Sequence, residues 1–156
     1  MFLPRLFYVW VEKSGLEVLK DEELPFIFLF HLARNDMAGH KKVLVAEDDT
    51  GITDVINLIL TEAGYEILST SDGKNIFKLL EVRPHVVLLD VRLSGVDGRE
   101  VCKKIKASRK FSDIPVILFS ADPNIEMIAR QAGADAFIRK PFDMDELLVL
   151  SDRTVS

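Results

Sequence analysis

The sequence predicts an α/β fold: a three-layer (βα)5 sandwich around a parallel sheet of strand order 2-1-3-4-5. Three observations carry this expectation. Between residues 43 and 150, five short apolar runs alternate with segments of helical period. The runs are apolar at consecutive rather than alternating positions, as strands covered on both faces must be. Right-handed crossovers between parallel strands leave few topologies, and 2-1-3-4-5 is the usual small solution.

The elements follow in order. Residues 43–46 form the first run, which ends in Glu47, Asp48 and Asp49. Ile52, Val55, Ile56, Ile59, Leu60 and Ala63 follow at helical spacing, and Gly64 stands where a helix ends. Residues 65–68 read as the second strand, 71–73 as a turn, and 75–82 as a helix stopped by Pro84. The third strand is 85–89, with Val86, Val87, Leu88 and Leu89 unbroken. Residues 97–107 read as a helix and 115–119 as the fourth strand. Asp122 is expected to cap the next helix, with Pro123 in its first turn. Ile125, Ile128, Ala129 and Ala132 form the inner face of that helix, and Gly133 ends it. Residues 136–138 read as the fifth strand, Pro141 breaks the chain, and 144–150 can start a last helix.

Composition bounds the function. Over 156 residues, 48% apolar and 29% charged is a globular balance, which excludes disordered and low-complexity classes. A net charge of −5 argues against a direct nucleic-acid partner. One cysteine, Cys102, closes no intrachain disulfide, and three histidines without paired cysteines give no zinc-site spacing. The longest apolar runs, 6–11 and 24–30, fall short of the roughly 20 residues that span a bilayer. No secretory pattern stands out, so no membrane span and a cytoplasmic location are expected.

The aromatics are unevenly placed. Of ten Phe, two Tyr and one Trp, seven lie in the first 40 residues: Phe2, Phe7, Tyr8, Trp10, Phe26, Phe28 and Phe30. This predicts an N-terminal extension, 1–40, ahead of a domain at 41–156. Within the extension, 6–11 and 26–30 look strand-like and 16–24 helical.

The polar residues at the strand ends carry the chemistry. The first strand runs into Glu47 and Asp48, the third into Asp90, the fourth into Ser120 and the fifth into Lys140. In this fold class, ligands bind at that carboxyl edge. Carboxylates about 4 Å apart repel by roughly 4 kcal/mol per pair at an effective dielectric of ~20. Such a cluster must be relieved by a proton, a cation or Lys140. A hard divalent ion such as Mg²⁺ suits an oxygen-only site. Beside it, an aspartate can act as a nucleophile toward phosphorus, with Lys140 and Ser120 supplying positioning and charge neutralisation.

These segments are VLVAEDD (43–49), VVLLDVRLSGVDG (86–98), VILFSAD (116–122) and GADAFIRKPF (133–142). In them, residues 41–156 resemble the receiver domain of bacterial two-component response regulators, a family of flavodoxin-like fold. The resemblance implies that Asp90 is the phosphoacceptor. Its phosphoryl group would come from a phosphohistidine of a sensor histidine kinase or a histidine phosphotransfer protein. It also implies Mg²⁺ ligation by Asp48 and Asp90, by the Arg92 backbone carbonyl, and by Glu47 through water. Ser120 and Lys140 would contact phosphoryl oxygens, and the Lys140–Pro141 peptide would be cis. Ser120 and Phe137 would form the switch. It would act on the face made by the fourth helix, fifth strand and last helix, and so control binding of a downstream target protein. Where the family often has Tyr, Phe137 lacks the hydroxyl, so coupling would rest on packing. Arg92 and Asp122 occupy positions that tune dephosphorylation, and a pairing of the two across the acyl phosphate is expected. Self-catalysed phosphorylation and dephosphorylation, rather than enzymatic turnover, would follow.

Other readings compete. Haloacid-dehalogenase-like phosphatases place a second acid two residues after the nucleophile, where this chain has Arg92. An FMN-binding flavodoxin would need a hydroxyl- and glycine-rich loop after the first strand, where this chain has acids. A degenerate receiver, acting as a phosphorylation-independent binding module, would be expected to lack a site residue, and none is missing. A fragment of a larger regulator or hybrid kinase would look the same as a stand-alone regulator. Singly, each site residue has a plain reading: Glu47-Asp48-Asp49 as a capping turn, Lys140 as a solvated lysine, Phe137 as core packing. Their combination is the signal. Lys103, Lys104, Lys106, Arg109 and Lys110 read as a solvated basic face, Cys102 as a small core residue, and His31, His40 and His85 as structural or exposed. Met37 would be an ordinary receiver start, with 1–36 outside the native protein. The alternative is an extension that packs on the receiver or a partner.

Overall fold

A computed structural model describes residues 7–11, 15–19 and 41–142. Strands β1 (Phe7–Val11) and β2 (Gly15–Leu19) pair antiparallel, with Phe7 opposite Leu19 and Val11 opposite Gly15. This corrects the helical expectation for residues 16–24 over its first part. Leu16 and Val18 flank Glu17 with period 2, and a paired strand satisfies backbone groups that a lone short helix would leave to water. Residues 26–30 and Met37 lie outside the described residues.

The main sheet has five parallel strands: β3 (Lys42–Ala46), β4 (Glu66–Thr70), β5 (Val86–Asp90), β8 (Val116–Ser120) and β9 (Ala136–Arg139). Their spatial order is β4-β3-β5-β8-β9, which is 2-1-3-4-5 when these five are counted along the chain. A small antiparallel pair, β6 (Arg92–Leu93) and β7 (Val96–Asp97), was not foreseen. It turns at Gly95, whose φ of +71° is one that side chains with a Cβ seldom adopt.

Alternate strand residues feed two cores. On one face Val43, Val45, Val86, Leu88, Ile117 and Phe119 pack with Ile56, Ile59 and Leu60 of α1 (Thr50–Glu62). On the other, Leu44, Val87, Leu89, Val116 and Leu118 pack with three helices. These are α2 (Ile76–Leu80), α3 (Gly98–Ala107) and α4 (Ile125–Ala132). Sheet and two helical faces are the three layers. Every residue of β5 and β8 is buried, as their unbroken apolar runs require. Each fully buried Leu or Ile contributes about 1.5–3 kcal/mol.

Some boundaries moved. A 3₁₀ turn at Gly73–Asn75 precedes α2, which ends at Leu80 rather than 82. Helix α4 begins at Ile125, not at Pro123, and Asp122 is not its cap. Instead the Asp122 carboxylate accepts from the Asn124 N–H (2.8 Å) and its carbonyl from Ile125 N–H (3.1 Å), so the chain turns before it coils. The last predicted helix, 144–150, lies outside the described residues. No helix among the described residues is long and apolar enough to cross a membrane.

Candidate functional site

Parallel register delivers the site. Ala46 lies opposite Leu89, Asp90 opposite Phe119, and Ser120 opposite Arg139. Glu47, Asp90, Ser120 and Lys140 therefore emerge side by side at one edge. Asp90 and Ser120 are the terminal residues of their strands, one position further than the sequence reading ended them.

The expected acid triplet splits. Asp49 caps α1, its Oδ1 accepting from the Ile52 N–H at 3.0 Å. Glu47 and Asp48 instead face Asp90, and carboxylate oxygens of all three lie within 4.8 Å of one another. Glu47 is 2% and Asp90 5% exposed, so their charge is met inside the protein. Lys140 meets it: Nζ donates to Glu47 Oε2 at 2.7 Å and lies 3.1 Å from Asp90 Oδ2. The same ammonium stands 4.6 Å from the Phe119 ring centre, a cation–π contact. Phe119 is itself packed edge-on to Phe142.

Backbone donors complete the relief. The Asp49 N–H donates to Glu47 Oε1 (2.9 Å) and the Arg92 N–H to Asp90 Oδ1 (3.2 Å). Burial nevertheless raises the Glu47 carboxyl above its ordinary value, against the hydrogen bonds from Lys140 and Asp49, and the nearby Asp90 charge adds to the rise. Asp48 goes the other way. A hydrogen bond from the Ser94 hydroxyl at 2.6 Å holds it below the usual carboxylate range. It is an ionised acid beside two others, and hard oxygen donors in this number suit Mg²⁺.

A cavity of about 300 Å³ opens above Asp90, lined by Arg92, Ser120, Ala121, Asp122, Pro123 and Lys140. It could hold a small anion next to a carboxylate, an ammonium and a hydroxyl. Ser120 Oγ accepts from the Asp122 N–H at 3.1 Å. The exposed Arg92 side chain and Asp122 share the cavity, but no ion pair joins them among the described residues. Phe137, opposite Leu118, is buried in the core beneath α4. Ser120 is two residues beyond Leu118, so Ser120 and Phe137, the pair expected to form a switch, belong to one face of the sheet. The Lys140–Pro141 peptide is cis, as expected.

Three contributors escaped the sequence reading. Phe119 counted only as a strand residue. Ser94 is 46 positions from Asp48 and carries no local cue. Gly98 closes the 86–98 segment and has no side chain to suggest a role. A Cβ there would fall 2.0 Å from the Asp90 carbonyl oxygen, so only glycine lets α3 start against the end of β5. Of the residues read as bland, Cys102 is buried, which pushes its thiol up to about 12. His85 is exposed, its Nδ1 accepting from the Lys42 N–H. His31 and His40 lie outside the described residues. Lys106 is not part of a solvated face: it is largely covered and pairs with Asp135 while donating to the Ile114 carbonyl.

Comparison with known proteins agrees with this geometry. The sequence matches the response regulator receiver domain over residues 43–151. It is 33% identical over 110 residues to the DNA-binding dual master transcriptional regulator RpaA of Synechocystis sp., spanning 69% of this chain and 46% of that protein. The chain thus covers less than half the length of that relative. Among solved structures it resembles the receiver domain of NtrX from Brucella abortus at 32% identity. That match covers 72% of this chain and 97% of the other, with a TM-score of 0.66. It also resembles the receiver domain of sensor histidine kinase PA1611 from Pseudomonas aeruginosa PAO1, which holds a magnesium ion in its active-site cleft. There identity is 27%, coverage 75% and 98%, and TM-score 0.68. Since the match runs through all five strands whose ends build the acid, hydroxyl and lysine edge, the chain belongs to the response regulator receiver domain family.

Proposed function

We propose that this receiver accepts a phosphoryl group on Asp90 from a phosphohistidine of a sensor histidine kinase or a histidine phosphotransfer protein. The observation that carries the reading is the placement of Lys140, within 3.1 Å of Asp90 and 2.7 Å of Glu47 beside the cavity. An Asp90 oxygen forms a bond to phosphorus as the donor's P–N bond breaks, and the electron pair leaves with the imidazole nitrogen. Lys140 and Ser120 then meet the charge on the phosphoryl oxygens. Asp48, Asp90 and the Arg92 carbonyl would hold Mg²⁺, with Glu47 acting through water. When bound, the ion would neutralise the three acids and the incoming phosphoryl charge. The PA1611 receiver, with magnesium in the corresponding cleft, supports that assignment.

The output is a population shift. In the present state the Ser120 hydroxyl is engaged by the Asp122 N–H. That contact uses the Ser120 oxygen as acceptor and leaves its O–H to donate to a phosphoryl oxygen, which would draw the serine inward, repack the already buried Phe137 and so change the face of α4 and β9 offered to a downstream protein. The shift can be no larger than the difference in phosphoryl contacts between the two states. Asp90 is modified once per donor molecule, so the protein signals rather than turns over substrate. The acidic net charge favours a protein as the direct partner, and a cytoplasmic setting follows from a kinase donor.

Incubation with a small phosphodonor and Mg²⁺, read by intact mass, tests the proposal. A stable phosphoprotein that Asp90→Asn abolishes is the expected result. Steady phosphate release without accumulation would indicate a phosphatase, and no reaction a binding module.

A further inference from the structure

Lys140 relieves Glu47 and Asp90, but among the described residues it makes no ion pair with Asp48. Asp48 is gripped from another side. Ser94 Oγ donates to Asp48 Oδ2 at 2.6 Å, in the short range of hydroxyl-to-carboxylate bonds. The serine stands in the β6–β7 turn, between buried Leu93 and the left-handed Gly95. Beyond the turn, Val96 presses on Gly73, where a Cβ would come within 2.8 Å of the valine Cβ. The turn is therefore anchored on both sides of Ser94, and the hydroxyl is delivered by a braced hairpin.

We propose that Ser94 is a positioning residue for the divalent-cation site. Its hydrogen bond fixes the Asp48 carboxylate so that it converges with Glu47 and Asp90. This rests on the cation reading of the site given above. A hydroxyl suits the task for an electrostatic reason: it orients the carboxylate without cancelling its charge, whereas an ammonium would compete with the ion. Ligating carboxylates are commonly held by such outer hydrogen bonds, whose loss costs 10–100-fold in metal affinity.

The test is Mg²⁺ binding without any phosphodonor, followed by backbone amide NMR shifts at Asp90 and Lys140 in the full chain. The wild type should saturate, and Asp48→Asn should abolish the response. Ser94→Ala should bind about ten-fold more weakly, at the lower end of that range. Ser94→Thr, which keeps the hydroxyl, should stay within about two-fold of wild type on the same scale. Ser94 is exposed, so the metal-free melting temperature of Ser94→Ala should shift by no more than a few degrees. Should Ser94→Ala not fold, Ser94→Thr together with Ser94→Cys decides the question, the cysteine variant being expected to weaken binding. Wild-type or tighter binding by Ser94→Ala, or equal weakening by the alanine and threonine variants, overturns the role of Ser94. In those cases a sensitive Asp48→Asn leaves the cation reading standing. A wild type that shows no response to Mg²⁺ overturns both.

Discussion

Replacing Lys140 by methionine keeps much of its apolar stem and removes its charge. In the folded protein the ammonium lies 2.7 Å from Glu47 and 3.1 Å from Asp90, whose side chains are 1% and 7% exposed. At an effective dielectric of ~20, those two attractions come to about 6 and about 5 kcal/mol. Desolvating the three ions costs several kcal/mol each and offsets more than half of that. Removing one member of a buried ionic cluster then leaves a net loss of about 3–5 kcal/mol, because two carboxylates stay behind uncompensated. The loss should depend on pH. Glu47 is already raised by burial, and without Lys140 it rises further. A carboxyl whose native value is raised contributes most below its unfolded value of about 4.3, and that contribution is lost as pH rises through the native value. Urea unfolding in metal-free buffer should therefore show a large defect for Lys140→Met at pH 8 and a small one near pH 4. Mg²⁺ should restore part of the loss at pH 8, since it can take over the neutralisation. A defect below about 1 kcal/mol at pH 8, or one that does not change with pH, would refute the view that Lys140 holds the acids together.

Other perturbations follow from the same geometry. Gly98→Ala should cost about 3 kcal/mol or more, a fall of very roughly 10–20 °C in melting temperature, because its Cβ would meet the Asp90 carbonyl oxygen at 2.0 Å. A melting curve like that of the wild type would contradict this. Asp97 caps α3 by accepting from the Arg99 N–H, and the Arg99 guanidinium holds its carboxyl below the usual carboxylate range. Asp97→Ala should thus lose about 0.5–2 kcal/mol at neutral pH. The stabilisation is present above the unfolded value of about 3.9, so the gap between the two proteins should close as pH falls below it. Arg92→Ala removes an exposed side chain from the cavity rim, and the half-life of the phosphorylated protein should shorten as water gains access. An unchanged half-life removes Arg92 from any tuning role.

The layers and the functional edge were legible in the order of residues alone. Consecutive apolar residues such as 86–89 can be buried only between two helical faces, and a helical period between such runs makes the strands parallel. Parallel strands put every strand end with a given polarity on one side, so Glu47, Asp48, Asp90, Ser120 and Lys140 could be grouped without coordinates. Turn geometry was less legible. The helix expected at Pro123 begins at Ile125, because the Asp122 side chain serves the backbone two residues on rather than an N-cap. Residues 16–19 join a hairpin because a paired neighbour outweighs weak local preference.

Tertiary structure alone decided which acid does what. Three adjacent carboxylates look alike in sequence, yet Asp49 is spent on capping α1, Glu47 is buried against Lys140, and Asp48 is left ionised under Ser94. The partners lie 93 positions away for Glu47 and 46 for Asp48, so no local pattern could have announced them. Charge type and strand alternation are properties of the chain. Desolvation, and the donor that answers it, exist only once distant segments are packed together.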